Sequence, residues 1–132
     1  MITFVDTSVL LDVFLPDPKF GPISAENLEQ AYHEGSLVVN TIIYAELSPQ
    51  FPTKKLLDDV LVTLGIRVAS IDTEVAYLAG SLWKKYRESG GKRNRILSDF
   101  IIGAQAQKIS ERLLTRDRGF YKTYFTDLIL FQ

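Results

Sequence analysis

The stretch ITFVDTSVLLDVF, residues 2–14, decides the fold. Ile2 to Val5 are all β-branched or aromatic, without polar alternation, as in a short strand buried on both faces. From Ser8 onward the apolar residues recur three and four apart, the spacing of an amphipathic helix. Between the two stands Asp6, a carboxylate at the end of a strand that reads as buried, followed by the hydroxyls of Thr7 and Ser8. Asp6 is either the cap of that helix, a role aspartate favours, or the first ligand of a metal site.

Strand-then-helix units continue along the chain. LVVN (37–40) leads into TIIYAEL, IRVASI (66–71) into TEVAYLAGSLWKKYRES, and RLLT (112–115) into DRGFYKTYF, with LILF (128–131) at the end. Helical periodicity also covers Ala25 to Glu34, Lys54 to Leu64 and Asp99 to Ile109. Breakers fall between these runs: Pro16, Pro18, Gly21 and Pro22 in one loop, Pro49 and Pro52 in another, Gly90 and Gly91 in a third. Strands separated by helices require crossover connections, which makes the sheet parallel and puts helices on both its faces. The expectation is a three-layer α/β/α domain with about five strands, spanning residues 1–132 as one unit.

Composition narrows the class. With 46% hydrophobic and 23% charged residues, the chain reads as an ordinary soluble globular protein. No apolar run approaches the ~18 residues that span a bilayer, and no basic segment precedes the first apolar stretch, so neither membrane insertion nor a secretory signal is expected. The absence of cysteine excludes a disulfide framework and a thiolate ligand or nucleophile. Cytoplasmic residence is the expectation. A net charge of −1 argues against coating nucleic acid by bulk electrostatics, which leaves room for a local patch.

Of the 16 acidic residues, Glu26, Glu29, Glu34, Asp58, Asp59, Glu88 and Glu111 read as solvated helix faces, and Asp72 as a cap. Four others differ in position. Asp6 ends the first strand and Asp117 follows the RLLT strand, so both lie at the carboxyl edge of a parallel sheet, where open α/β folds bind ligands. Asp99 opens a helix, near its positive end. Ser98, just before it, is a better-placed cap and would leave the Asp99 carboxylate free. Glu46 lies too far into TIIYAEL to be a cap, in apolar company where an unpartnered acid is rare. Capping remains an alternative for Asp6, Asp99 and Asp117 taken singly. Taken together, clustered carboxylates repel one another unless a hard cation with oxygen ligands, magnesium or manganese, joins them.

FVDTSVLLDVF, NTIIYAELSP, RILSDFIIGAQA and LLTRDRGF, in that order, resemble the PIN-domain family, in particular the VapC-type toxins of bacterial and archaeal toxin–antitoxin pairs. The resemblance runs essentially the whole length. The family pattern puts its acidic quartet on Asp6, Glu46, Asp99 and Asp117, and its usual hydroxyls on Thr7, Ser8 and Thr115. Ser98 and Phe100 depart from the residues common beside the third acid, and neither removes a ligand. The resemblance implies a magnesium- or manganese-dependent ribonuclease, usually dimeric and held inactive by a small cognate antitoxin.

The residues suit that chemistry. Asp6 and Asp99 are the leading candidates for direct ligation, with Asp117 and Glu46 binding directly, through water or at a second ion. Thr7, Ser8 and Thr115 can orient carboxylates or waters from behind; simple capping is the competing reading for Ser8. His33, the only histidine, reads as a surface residue at a helix end and not as a general base. Between Trp83 and Arg95 the sequence WKKYRESGGKRNR holds Lys84, Lys85, Arg87, Lys92, Arg93 and Arg95 against the single acid Glu88. Lys92, Arg93 and Arg95 are the candidate RNA contacts, with Trp83 and Tyr86 as surfaces on which bases can stack. The competing reading is a solvated helix end. The choice of RNA over DNA comes from the resemblance alone. Leu56, Leu57, Val60, Leu61 and Leu64 form an apolar stripe wide enough for a dimer contact, or simply a core helix.

Rival readings are weaker. A haloacid-dehalogenase-type phosphotransferase needs a second aspartate where Ser8 stands, and a receiver domain needs paired acids at the first strand and a lysine after the last. The main alternative is a catalytically silent PIN-like scaffold that binds RNA or protein.

Overall fold

The computed structural model describes residues 1–91 and 96–131. Four parallel strands, β1 (Ile2–Val5), β2 (Ser36–Asn40), β3 (Ile66–Ala69) and β4 (Arg112–Leu114), stand in the order β3-β2-β1-β4. Around them lie α1 (Thr7–Phe14), α2 (Gly21–Glu34), α3 (Thr41–Leu47), α4 (Lys54–Thr63), α5 (Thr73–Glu88), α6 (Leu97–Ile109) and α7 (Arg118–Tyr124). Side chains alternate between the faces of a strand, yet Thr3, Phe4 and Val5 of β1 are all fully buried, as are Leu37, Val38 and Val39 of β2. Both faces of the sheet centre are therefore covered, as the unbroken apolar runs require. β3 is an edge strand, and its Arg67 and Val68 are exposed.

The helix starts follow their residues. Asn40, Thr53 and Asp72 each accept the backbone N–H of the residue three ahead, capping α3, α4 and α5. Gly21 and Pro22 belong to the first turn of α2, where proline's missing N–H costs nothing. The expected fifth strand does not form. LILF makes a single parallel bridge, Leu113 to Leu130, with the Leu113 N–H on Ile129 O at 2.8 Å and the Phe131 N–H on Leu113 O at 2.9 Å. It lies alongside β4 without enough register to extend the sheet.

An aromatic cluster sets the relation of α6 to α7. The Phe100 ring lies 5.3 Å from Phe120 and 5.4 Å from Tyr86, centre to centre, and Phe120 lies 5.3 Å from Tyr124. Gly103 allows this approach: a Cβ there would stand 2.4 Å from the Phe125 ring. Because Phe100 follows Asp99 and Phe120 lies one turn after Asp117, the cluster ties together the N-terminal ends of the two helices that carry these acids. The Tyr86 ring is consumed in it and is buried, so it offers no stacking surface for bases. Trp83 is half-buried with the Arg87 guanidinium 4.8 Å from its ring centre.

Candidate active site

Asp6 caps a helix and stands near two of the other three expected acids. It occupies the N-cap of α1, and its Oδ1 accepts the Thr7 N–H at 2.8 Å. Its Oδ2 accepts the Thr115 hydroxyl at 2.7 Å. The Asp6 N–H is donated to Leu114 O at 2.9 Å, which continues the β1–β4 pairing beyond the strand ends. The carboxylate is only 7% exposed, and among the described residues no cation pairs with it. Burial is the largest cause raising its pKa to about 6, opposed by the hydrogen bonds from Thr115 and Thr7 and reinforced by the charges of Glu46 and Asp99. Those last two causes place three of the four expected acids in one electrostatic neighbourhood.

Glu46 reaches this neighbourhood from the solvent side. The reading of it as an acid in apolar company is corrected here: Ile43 and Leu47 take the core face of α3, while Glu46 and Ala45 are exposed. The glutamate side chain spans back to the site, where its Oε1 accepts the Thr7 hydroxyl at 2.7 Å. The expectation for Asp99 also changes. Ser98 does not cap α6; Ile96 is the N-cap residue, and the Asp99 Oδ2 turns back to accept the Ile96 N–H at 3.0 Å. This is one half of a capping box, and the carboxylate needs only a side-chain rotation to exchange that N–H for another partner. Asp117 stands at the N-cap of α7 without a side-chain cap hydrogen bond, and its N–H is donated to Thr115 Oγ1 at 3.0 Å. Thr115 thus sits between Asp6 and Asp117. Ser8 is half-buried and its hydroxyl finds no partner among the described residues. His33 is exposed in the last turn of α2, 3.7 Å from Glu29.

The donor set is entirely oxygen: carboxylates on α1, α3, α6 and the β4–α7 loop, with hydroxyls behind them. As the side chains stand, no group of three or more acids or histidines among the described residues closes to ligating distance. The reason is visible in the hydrogen bonds, since Glu46 is held by Thr7 and Asp99 by its own helix terminus. The chemistry still suits a hard divalent cation: a buried carboxylate near two like charges, with no paired cation among the described residues, takes up either a proton or a metal ion. Asp6, Glu46, Asp99 and Asp117 are the residues that would hold it. Lys92, Arg93 and Arg95, the candidate RNA contacts, lie outside the described residues.

A second buried acid escaped the sequence reading. Asp12, on α1, is 4% exposed. It accepts Nε and Nη2 of Arg116 at 2.7 and 3.0 Å, and the Ser24 hydroxyl at 2.6 Å. The signal available was an acid one turn after Val9, on the face that Val9 and Leu10 bury.

Several solved structures share the fold. One is VapBC2 from Rickettsia felis bound to a DNA fragment from its promoter, at 18% identity and TM-score 0.71, covering 98% of this chain and 97% of that one. VapBC-1 from nontypeable Haemophilus influenzae has 18% identity and TM-score 0.71, with 98% and 96% covered. FitAcB from Neisseria gonorrhoeae has 21% identity and TM-score 0.66, with 100% and 97% covered. At these identities the likeness is one of fold. No curated protein sequence matches the chain. The family model described as the PIN domain matches residues 3–126, nearly the whole of the chain, so the protein belongs to the PIN domain family.

Proposed function

We propose that this PIN domain is a magnesium- or manganese-dependent ribonuclease and the toxin of a toxin–antitoxin pair. The observation that carries the reading is Asp6, buried at the carboxyl edge of the sheet, with no cation paired to it among the described residues and with the charges of Glu46 and Asp99 acting on it. Bound there, a divalent ion supplies a Lewis acid and a more acidic water for phosphodiester hydrolysis. The chain's own part is to hold and orient. Thr115 fixes one oxygen of Asp6 and the backbone of Asp117, and Thr7 fixes Glu46. Lys92, Arg93 and Arg95, arriving just before α6, meet the RNA backbone. Neutralising them is expected to weaken RNA binding across sequences and lower the salt slope by about one unit per lost contact.

A cognate antitoxin partner is supported by the neighbours, which are themselves toxin–antitoxin complexes. A homodimer through α4 rests on what the core leaves uncovered: Leu57 and Leu61 are buried, whereas Leu56 is 46% and Val62 77% exposed. A monomer mass by light scattering at micromolar concentration counts against the dimer. Among the described residues no helix is long and apolar enough to cross a membrane.

The deciding experiment incubates pure protein with a mixed RNA pool, with manganese or with chelator, and sequences the new ends. Cleavage in manganese that is lost in chelator and in Asp6→Asn and Asp99→Asn is the expected result. Binding of RNA without cleavage under any metal condition would instead identify a silent scaffold.

A further inference from the structure

The β4–α7 loop carries two side chains of opposite destination. Thr115 turns to Asp6, and the next residue, Arg116, reaches across to α1 and α2. There its guanidinium makes two parallel hydrogen bonds to Asp12 and lies 4.2 Å from the Phe20 ring centre. Asp12 is held in turn by the Ser24 hydroxyl of α2. Asp17 shapes the α1–α2 loop that presents Phe20: its Oδ1 accepts the Lys19 and Phe20 N–H groups at 2.9 and 2.7 Å, and the Arg116 charge contributes to holding its carboxyl below the usual range. Asp12 and Phe20 therefore hold the arginine directly, with Ser24 and Asp17 bracing them from behind, although its own side chain is 38% exposed.

Surface arginines do not need such a seat. A planar guanidinium gripped at two nitrogens and stacked on a ring has little freedom left, and neither has the backbone that bears it. Asp117 is the next residue, and its backbone N–H is donated to Thr115 Oγ1 at 3.0 Å, so the two residues flanking Arg116 are tied to each other. Its N-cap conformation, φ −93 and ψ 56, is not that of a helix or a strand, so α7 alone does not dictate where its carboxylate lies.

We infer that Arg116, locked to Asp12 and Phe20, is a positioning residue that holds the Thr115–Asp117 turn so that Asp117 completes the acidic site. The inference rests on the proposed metal site, since it assigns how one of that site's ligands is kept in place. It predicts that metal binding depends on a contact made by the side of Arg116 remote from the metal, at α1 and α2.

The test measures Mn2+ affinity by electron paramagnetic resonance, without RNA, on wild type, Arg116→Lys, Arg116→Met and Leu61→Ala. Lysine keeps the charge and loses the two-point grip. Leu61→Ala truncates the α4 core and controls for general loss of stability. Arg116→Lys is expected to bind Mn2+ several-fold more weakly and Arg116→Met about tenfold more weakly, with Leu61→Ala near wild type. Amide exchange in chelator is a second, metal-free readout: the Asp117 N–H should exchange faster in Arg116→Lys than in wild type. Should Arg116→Met fail to fold, the lysine variant decides alone. Wild-type affinity and unchanged Asp117 exchange in Arg116→Lys overturn the inference and leave the metal site standing. Failure of the wild type itself to bind Mn2+ overturns both.

Discussion

Asp6 and Asp12 leave the same strand-to-helix segment, are buried to nearly the same degree, and have opposite environments. Asp12 has a cation, a hydroxyl and excellent geometry, so its charge is answered within the fold. Asp6 has a hydroxyl and its own helix N-terminus, with two further acids nearby and no paired cation among the described residues, and burial drives its carboxyl up to about 6. Both depend on the β4–α7 loop, Asp6 through Thr115 and Asp12 through Arg116. The contrast separates the two acids by what answers the charge: the first is answered within the fold, and the second, on the proposed function, by a metal ion.

Four measurements can break or sharpen that contrast. The largest effect is expected from Arg116→Met, which strands Asp12 as an unpaired buried charge and should cost about 3–4 kcal/mol in urea unfolding. The double variant Asp12→Leu with Arg116→Met should recover most of it. A neutral single variant would mean that Asp12 does not depend on its partner.

Next comes Asp6→Asn, with the opposite sign. The folded carboxyl value of about 6 lies above the ordinary aspartate value of 3.8, so the folded state binds the proton more tightly and ionisation penalises the fold. The penalty is full above about pH 6, shrinks as pH falls towards 4 and vanishes below it. Asparagine removes it while capping nearly as well, so the variant should be more stable by about 2–3 kcal/mol at pH 8 and by almost nothing at pH 4. A variant less stable at pH 8 would make Asp6 a simple cap.

Smaller still is the response to metal. Manganese at ten times its dissociation constant should stabilise wild type by about 1.4 kcal/mol, and Asp6→Asn or Asp99→Asn should not respond at that concentration. Thermal unfolding in chelator and in a manganese series reads this directly, and a full shift retained in both variants counts against the site. The least change is expected from Ser24→Ala. It removes one of the three hydrogen bonds to the Asp12 carboxylate, which keeps both arginine contacts, and should cost about 1 kcal/mol with little change in the metal response. A larger loss than in Arg116→Met would reverse the order of importance within the network.

How much of this was legible beforehand varied with the range of the interaction. The strands at Ile2, Leu37, Ile66 and Arg112 and the helices after them follow from apolar spacing and caps, and they stand where the pattern puts them. LILF has strand-like residues, but joining a sheet requires a partner in register, and beside β4 it makes one bridge. Thr115, a hydroxyl position that the family resemblance singled out, donates to Asp6 at 2.7 Å, and its part in a metal site belongs to the proposal. The Asp99 cap was misplaced because Ile96, a residue with no capping side chain, starts the helix, and the acid three positions on takes over its N–H.

The sequence by itself determined the periodicity of each element, the parallel order those elements force, and the acids that strand ends and helix starts carry to one edge of the sheet. These are local properties, set by side-chain spacing within a few residues. Only the tertiary structure decided which acids are answered and which are not. Arg116 and Asp12 are separated by 104 positions, and Thr115 and Asp6 by 109. No spacing rule distinguishes the arginine that will reach a buried carboxylate from the other basic residues of the chain. The distinction arises because β4 pairs with β1, which brings the loop after the one strand onto the helix after the other. Burial then fixes the outcome, since the same carboxyl group in water would keep its ordinary affinity for a proton.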